Sequence, residues 1–362
     1  MQKINPDLYA DQLAEKQRYI EKLFASFTLP PLEIFDSPPL HFRMRAEFRI
    51  WHQADKCFYA MTPPGERTPR PIDDFPIGST AMIDVMAPLL DSVNNNPLLR
   101  RKLYGCEFLT TQCGEVLVTL IYHRPLDDAW REAAEQLSKQ LGIGIIGRSK
   151  KQKMVIDKDF VTESLVVNGK RYRYQQIETG FTQPNAPVNE KMLGWAKSVT
   201  AASPGDLLEL YCGNGNFTVV LSENFRNVLA TEVSKISVQS ALVNFQNNAV
   251  KNTVVVRMSS EELTQALNRV REFNRLRGVD LNDYDFSTIF VDPPRAGLDA
   301  ATLELAQNFR KILYISCNAL TLKENIEYLN RTHEIKRFAL FDQFPYTNHI
   351  ECGVMLGLRN ES

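Results

Sequence analysis

Leu207-Leu208-Glu209-Leu210-Tyr211 runs directly into Cys212-Gly213-Asn214-Gly215-Asn216-Phe217. A short apolar run followed at once by two glycines reads as a strand with a sharp turn, since glycine lets the backbone bend and approach a ligand without a Cβ in the way. Downstream the pattern recurs. Apolar runs at 227–231, 253–258, 287–291, 312–316, 335–341 and 352–358 are mostly separated by helical segments, and a helix at 188–200 precedes the first. Such alternation predicts an α/β unit, a doubly wound and mostly parallel sheet with its ligand site at the strands' carboxyl ends.

The glycine turn carries a second signal. Roughly twenty residues on, after the next strand, stands Glu232, where nucleotide-binding folds place a carboxylate on ribose hydroxyls. The loop lacks the third glycine of the dinucleotide fingerprint, and S-adenosylmethionine has no pyrophosphate to cradle. A methyl donor is therefore favoured over a nicotinamide dinucleotide. The bland readings are a plain turn and a solvated carboxylate at a strand end.

Upstream the rhythm differs. Leu8, Leu13, Ile20, Leu23 and Phe24 fall at helical spacing over 7–27, and Pro30-Pro31 ends that helix. From Phe42 to Ile50 apolar and polar residues alternate strictly, with Phe42, Met44, Ala46, Phe48 and Ile50 on one face and Arg43, Arg45, Glu47 and Arg49 on the other. A loop at 62–76, helices at 78–94 and 127–141, and strands at 104–111, 116–122, 144–148, 153–156 and 166–167 complete an α+β half. A chain of 362 residues exceeds what one hydrophobic core usually serves. The expectation is an N-terminal α+β domain over 1–180 and an α/β domain over 181–362.

Hydrophobic content of 44% and charged content of 23% fit an ordinary globular protein, and the formal net charge is -1. The total announces no polyanion partner, so the local distribution must decide. Arg43, Arg45 and Arg49 form a strip that would meet phosphates, or a ladder paired with Glu47. Arg100-Arg101-Lys102 beside Tyr104 mixes charge with an aromatic ring suited to stacking an exposed base, or is simply solvated. No secretion signal and no apolar stretch of membrane-spanning length is visible. Six scattered cysteines with no C-x-x-C pair support neither a disulfide framework nor a metal site, and reduced thiols in a cytoplasm are the plain reading.

Two later segments carry chemistry. Val291-Asp292-Pro293-Pro294-Arg295 makes a stiff wall after the fourth strand, since neither proline can continue a sheet. Ser316-Cys317-Asn318 follows the fifth strand and brings a cysteine to the expected crevice. A lone cysteine is ordinarily a buried small hydrophobe; Cys317 differs in its polar neighbours and its place. Glu351 opens the last strand and would face the same crevice or form a salt bridge there. Together these residues fit methylation at C5 of a uracil. A thiolate at C6 turns the ring into an enolate nucleophilic at C5, and a base must afterwards remove the C5 hydrogen. Cys317 supplies the thiolate and Glu351 the base. The target base, stacked in folded RNA, would have to be flipped out.

The motifs FRMRAEFRIWH (42–52), FTQPN (181–185), LELYCGNGNF (208–217), FVDPPRAGLD (290–299), LYISCN (313–318) and FDQFPYTNHIECG (341–353) resemble, in this order, the RNA m5U methyltransferase family in its bacterial tRNA (uracil-5-)-methyltransferase branch. The resemblance covers nearly the whole chain. It implies a C-terminal class I S-adenosylmethionine-dependent methyltransferase domain with a Rossmann-like sheet, and an RNA-facing N-terminal domain. It implies Cys317 as nucleophile, Glu351 as proton acceptor, and donor contacts from Gln183, Tyr211, Asn216, Glu232 and Asp292, with no metal and no iron-sulfur cluster. It further implies a cytoplasmic monomer acting on uridine 54 in the T-loop of tRNA, with the similar loop of tmRNA as a second target. One departure is Ala319, where the family often has proline, which would loosen the nucleophile loop.

The rRNA-directed relatives carry an N-terminal β-barrel and an iron-sulfur cysteine cluster, and this chain's early helix and scattered cysteines favour tRNA. A cytosine-5 methyltransferase would place its cysteine in the loop that here reads Asp292-Pro293-Pro294-Arg295. An RNA-folding module with secondary chemistry, and a small-molecule methyltransferase, are the remaining alternatives.

Overall fold

The computed structural model describes residues 4–63 and 65–359. The helix Tyr9–Leu23 comes first, and β1 (Leu32–Phe35) follows. Seven strands then build one sheet: β2 (Arg45–Gln53), β3 (Lys56–Met61), β4 (Arg70–Pro71), β5 (Leu103–Thr110), β6 (Val116–Tyr122), β7 (Gly144–Ser149) and β8 (Gln152–Val155). A hairpin of β9 (Phe160–Val167) and β10 (Lys170–Ile177) leads to the rest of the chain. There stand β11 (Asp206–Leu210), β12 (Val228–Thr231), β13 (Thr253–Val256), β14 (Phe286–Val291), β15 (Lys311–Ser316), β16 (His333–Phe341) and β17 (Glu351–Leu358).

The larger sheet has the order β1-β16-β17-β15-β14-β11-β12-β13, and only β17 runs against its neighbours. Its central strands β11, β12, β14 and β15 are buried on both faces, as expected of a parallel sheet covered on each side. Ile289 and Val291 of β14 join the core that holds Ile20 and Phe24 of the first helical segment. Phe290 between them joins a second core with Met192 and Trp195 of the helix Ala186–Thr200 and Tyr172 and Tyr174 of the hairpin. This is the doubly wound α/β arrangement the sequence leads one to expect.

The smaller sheet has the order β4-β3-β2-β5-β6-β7-β8 and is antiparallel except between β6 and β7. The helix Asp128–Leu141 makes that crossover. Asp127 caps its start by accepting from the Trp130 N–H at 2.9 Å, and Gly142 ends it in the left-handed region at φ 66°. A separate core, with Trp130, Phe108 and Met82 at its centre, lies under this sheet.

Two findings go beyond the sequence reading. The short strand read at 166–167 is the end of an eight-residue hairpin arm, whose mixed polar and aromatic residues gave little periodicity. The first helix and β1 belong to the larger sheet, where β1 pairs in parallel with β16 from Leu32↔Phe338 to Phe35↔Phe341.

Candidate active site

Parallel strands bring their carboxyl ends to one edge, and most of the candidate residues stand there. Beyond β11 the chain passes through Tyr211 at φ 62°, Gly213 at φ 56° and Gly215 at φ 79°. Gly215 has no room for a side chain, because a Cβ there would lie 2.9 Å from Cε1 of Phe245. The Gly213 N–H donates to Oε2 of Glu232 at 3.0 Å, and the Ser234 N–H donates to Oε1 at 2.7 Å. The Glu232 carboxylate, just past β12, is thus fixed by two amides with lone pairs to spare. The Tyr211 hydroxyl donates to Oγ of Ser260 at 2.8 Å and packs the next strand's exit against the turn.

Antiparallel pairing creates the chemical end. The β15–β17 register matches Ser316 with Cys352, so the next residues outward on the two strands are Cys317 and Glu351. Cys317 is half-buried and Glu351 buried. Asn318 caps the helix Ala319–Leu329 through its Oδ1, which accepts from the Leu320 N–H at 3.2 Å, while its Nδ2 donates to the Arg295 carbonyl at 3.0 Å. The Cys317 loop is therefore tied to the Pro293-Pro294 wall with Ala319 as the helix's first residue.

One cavity of about 760 Å³ is lined by Gln183, Tyr211, Glu232, Asp292, Cys317 and Glu351. Asn216 lies apart from it. Its side chain exchanges two hydrogen bonds with Asn189, at 2.9 and 3.0 Å, and faces a side pocket of about 50 Å³ that Gln183, Tyr211 and Asp292 also line. Buried Gln343 donates to Oε1 of Gln183 at 2.8 Å and fixes its amide.

The side pocket holds a residue the sequence reading passed over. Glu209 is 1% exposed, its Oε2 has no partner, and burial pushes its carboxyl up to about 8. Its signal was available: a single charge inside an otherwise apolar buried strand. Oε1 of Gln176, in the same pocket, is also without a partner. Burial likewise raises Asp292, and burial followed by the charge of Asp292 raises Glu351. The Cys317 thiol is pushed up to about 11, by burial first and then by Glu351 and Asp292, against the opposing pull of Arg295. A small cavity crowded with unpartnered acceptors and carboxyls suits a ligand bearing positive charge and N–H donors. S-Adenosylmethionine, with its ammonium, sulfonium and ribose diol, meets that description, and Val233 and Met258 add apolar surface for a flat ring.

The model of tRNA (uracil-5-)-methyltransferases matches residues 8–359. The chain belongs to this family. Similar to it are the tRNA/tmRNA (uracil-C(5))-methyltransferases of Cellvibrio japonicus strain Ueda107, 56% identical over 97% of this chain and 96% of the relative, and of Vibrio vulnificus strain CMCP6, 52% identical over 98% of each. Among solved structures, the Pyrococcus abyssi tRNA (uracil-54, C5)-methyltransferase in complex with S-adenosyl-L-homocysteine superposes with a TM-score of 0.71 at 20% identity, covering 96% of this chain and 83% of that one. That likeness concerns the fold.

The arginines on and just before the outer face of β2 divide into two groups. Nε of Arg43 donates to the Arg45 carbonyl at 2.8 Å, and Arg45 donates to the carbonyls of Glu178 and Gly180 at 2.8 and 2.7 Å. Arg45 anchors the chain leading to Gln183 and Arg43 turns back on its own stretch of backbone, so neither belongs to a free basic strip. Arg49 remains exposed. Its guanidinium lies 3.5 Å from the centroid of the Tyr104 ring, which stacks on His123 at 3.9 Å.

Proposed function

We propose that this chain is an S-adenosylmethionine-dependent tRNA (uracil-5-)-methyltransferase that forms 5-methyluridine at position 54 of the T-loop, with the similar loop of tmRNA as a second substrate. The observation that carries this is the meeting of Cys317 and Glu351 across the β15–β17 register on the wall of one cavity. The names of relatives more than 50% identical over nearly full length support the same RNA substrates.

Glu232 would hold the donor's ribose hydroxyls, Glu209 and Asp292 its cationic end, and Gln183, Tyr211 and Asn216 the walls between. Bound S-adenosylmethionine supplies an electrophilic methyl group on sulfonium. The Cys317 thiolate forms a bond to C6 of the flipped uracil, and the C5–C6 π electrons move toward O4 as an enolate. Once C5 carries the methyl group, the Glu351 carboxylate takes the C5 proton. The C5–C6 double bond re-forms and the Cys317 sulfur leaves with its electron pair. A base with raised proton affinity suits that last step.

On the RNA side, the Arg49–Tyr104–His123 stack is the platform for an unstacked loop base, with Arg49 toward phosphate. The same reading makes the protein a monomer that works in the cytoplasm. Purified protein, transcribed tRNA and labelled donor test the reading: 5-methyluridine in the T-loop is expected, and methylated cytidine would overturn it. Cys317→Ala should lose both turnover and the covalent complex with 5-fluorouridine RNA. Glu351→Gln should let the methylated adduct accumulate.

A further inference from the structure

The first helix sends a buried ammonium into the loop that carries the base. Lys16 is 5% exposed and Asp342, its ion-pair partner at 2.6 Å, is 1% exposed. The same Nζ donates to the carbonyls of Phe344 at 2.9 Å and His349 at 3.1 Å. Its three protons thus close the two ends of the segment between β16 and β17 onto one point. Phe344 and His349 both line the large cavity, and Glu351 follows two residues after His349. A second residue of the helix adds to the hold, since Oε1 of Gln12 accepts from the Tyr346 N–H at 2.6 Å. Tyr346 stands at φ 62°, a region that a bulky residue occupies only when its surroundings force it. The neighbouring Gln343 is the residue that fixes Gln183. One short segment therefore sets both ends of the cavity, and Lys16 sets the segment.

We infer that Lys16 is a positioning residue for the reaction: by gathering Asp342 and the carbonyls of Phe344 and His349, it fixes where Glu351 meets the C5 proton. The inference rests on the reading of Glu351 as proton acceptor. A buried ion pair is weak evidence for stability, because apolar or neutral pairs of similar volume often serve as well. The two carbonyl contacts are what an apolar side chain of similar length cannot make.

The test uses the full chain, a T-arm RNA hairpin and labelled donor. Lys16→Met alone leaves Asp342 charged and buried, so Lys16→Met/Asp342→Asn serves as the second, charge-free variant. In both, amide hydrogen exchange over 343–350 should quicken. Turnover should fall about ten- to a hundredfold, the scale of a small misplacement of a catalytic group, with KM for RNA little changed and KM for donor rising by less than turnover falls, since Gln343 also fixes Gln183. The methylated covalent complex should accumulate on denaturing gels, and Lys16→Arg should restore part of the rate. Unaltered exchange over 343–350, or normal turnover in the folded double variant, overturns the inference. Normal turnover in Glu351→Gln would instead sink the base assignment, and the exchange data would still decide whether Lys16 holds the segment.

Discussion

As the proposed nucleophile, Cys317 would have to become a thiolate beside two carboxyls, and its surroundings make that costly in the free protein. Burial, Glu351 and Asp292 hold the thiol at about 11, opposed by the positive charge of Arg295. Removing a negative neighbour stabilises the thiolate and lowers that value. Asp292→Asn and Glu351→Gln should each therefore alkylate faster with iodoacetamide at pH 8, followed by mass spectrometry of the Cys317 peptide. Equal rates in wild type and both variants would mean that the carboxyls do not govern the sulfur. Glu209 gives a second residue-scale prediction. Its folded value of about 8 lies above the ordinary 4.5, so its contribution to stability is intact below about pH 4.5 and is lost as pH rises toward 8. Glu209→Gln should thus melt above wild type at pH 8 and level with it near pH 4.5, while donor affinity, by calorimetry, falls about tenfold or more for want of a charged acceptor. Undiminished affinity would remove Glu209 from the donor site.

Elements place these residues through their ends. Ala319 is the first residue of its helix, and Asn318 before it has φ −140° and ψ 100°, the extended conformation that a following proline requires. Position one of a helix has no intrahelical partner for its N–H. Ala319→Pro should therefore keep full activity and raise stability by up to about 1 kcal/mol through the unfolded chain; a large loss in either would show that the loop needs the Ala319 N–H. On β2, Arg49→Ala should weaken RNA binding and flatten its salt dependence, whereas Arg45→Ala should spare the salt slope and disturb the approach to Gln183. A filter-binding salt titration separates the two. Alternation along 42–50 was enough to find the strand and its outer face, but not the fate of each arginine. That depends on Glu178 and Gly180, more than 130 positions away, which no local pattern encodes. The shared position of Cys317 and Glu351 was legible because each follows or opens an apolar strand; Asn216 was named, yet its lock with Asn189 and its side pocket were not foreseeable.

At the scale of the molecule, the chain does not simply finish one half before starting the other. A division at 180/181 follows the change of rhythm in the sequence, but the first helix fills one core of the larger sheet with Ile20 and Phe24, and β1 covers the edge of β16. Arg337 of β16 and the Trp195 ring N–H both engage Glu33 of β1, at distances from 2.6 to 3.0 Å. Pairing across about 300 residues leaves no trace in either strand, since each reads locally as a plausible strand of its own neighbourhood. A fragment of residues 160–362, which keeps the β9–β10 hairpin in the second core, should consequently expose an apolar groove and an unpaired strand edge, and should aggregate. The same fragment with residues 4–36 joined through a flexible linker regains the helix, β1 and the Lys16–Asp342 pair. It should stay in solution, unfold cooperatively in urea and bind the methyl donor. A bare fragment that is equally soluble and equally tight for donor would show that residues 4–36 are an addition to the catalytic layer and not part of its frame.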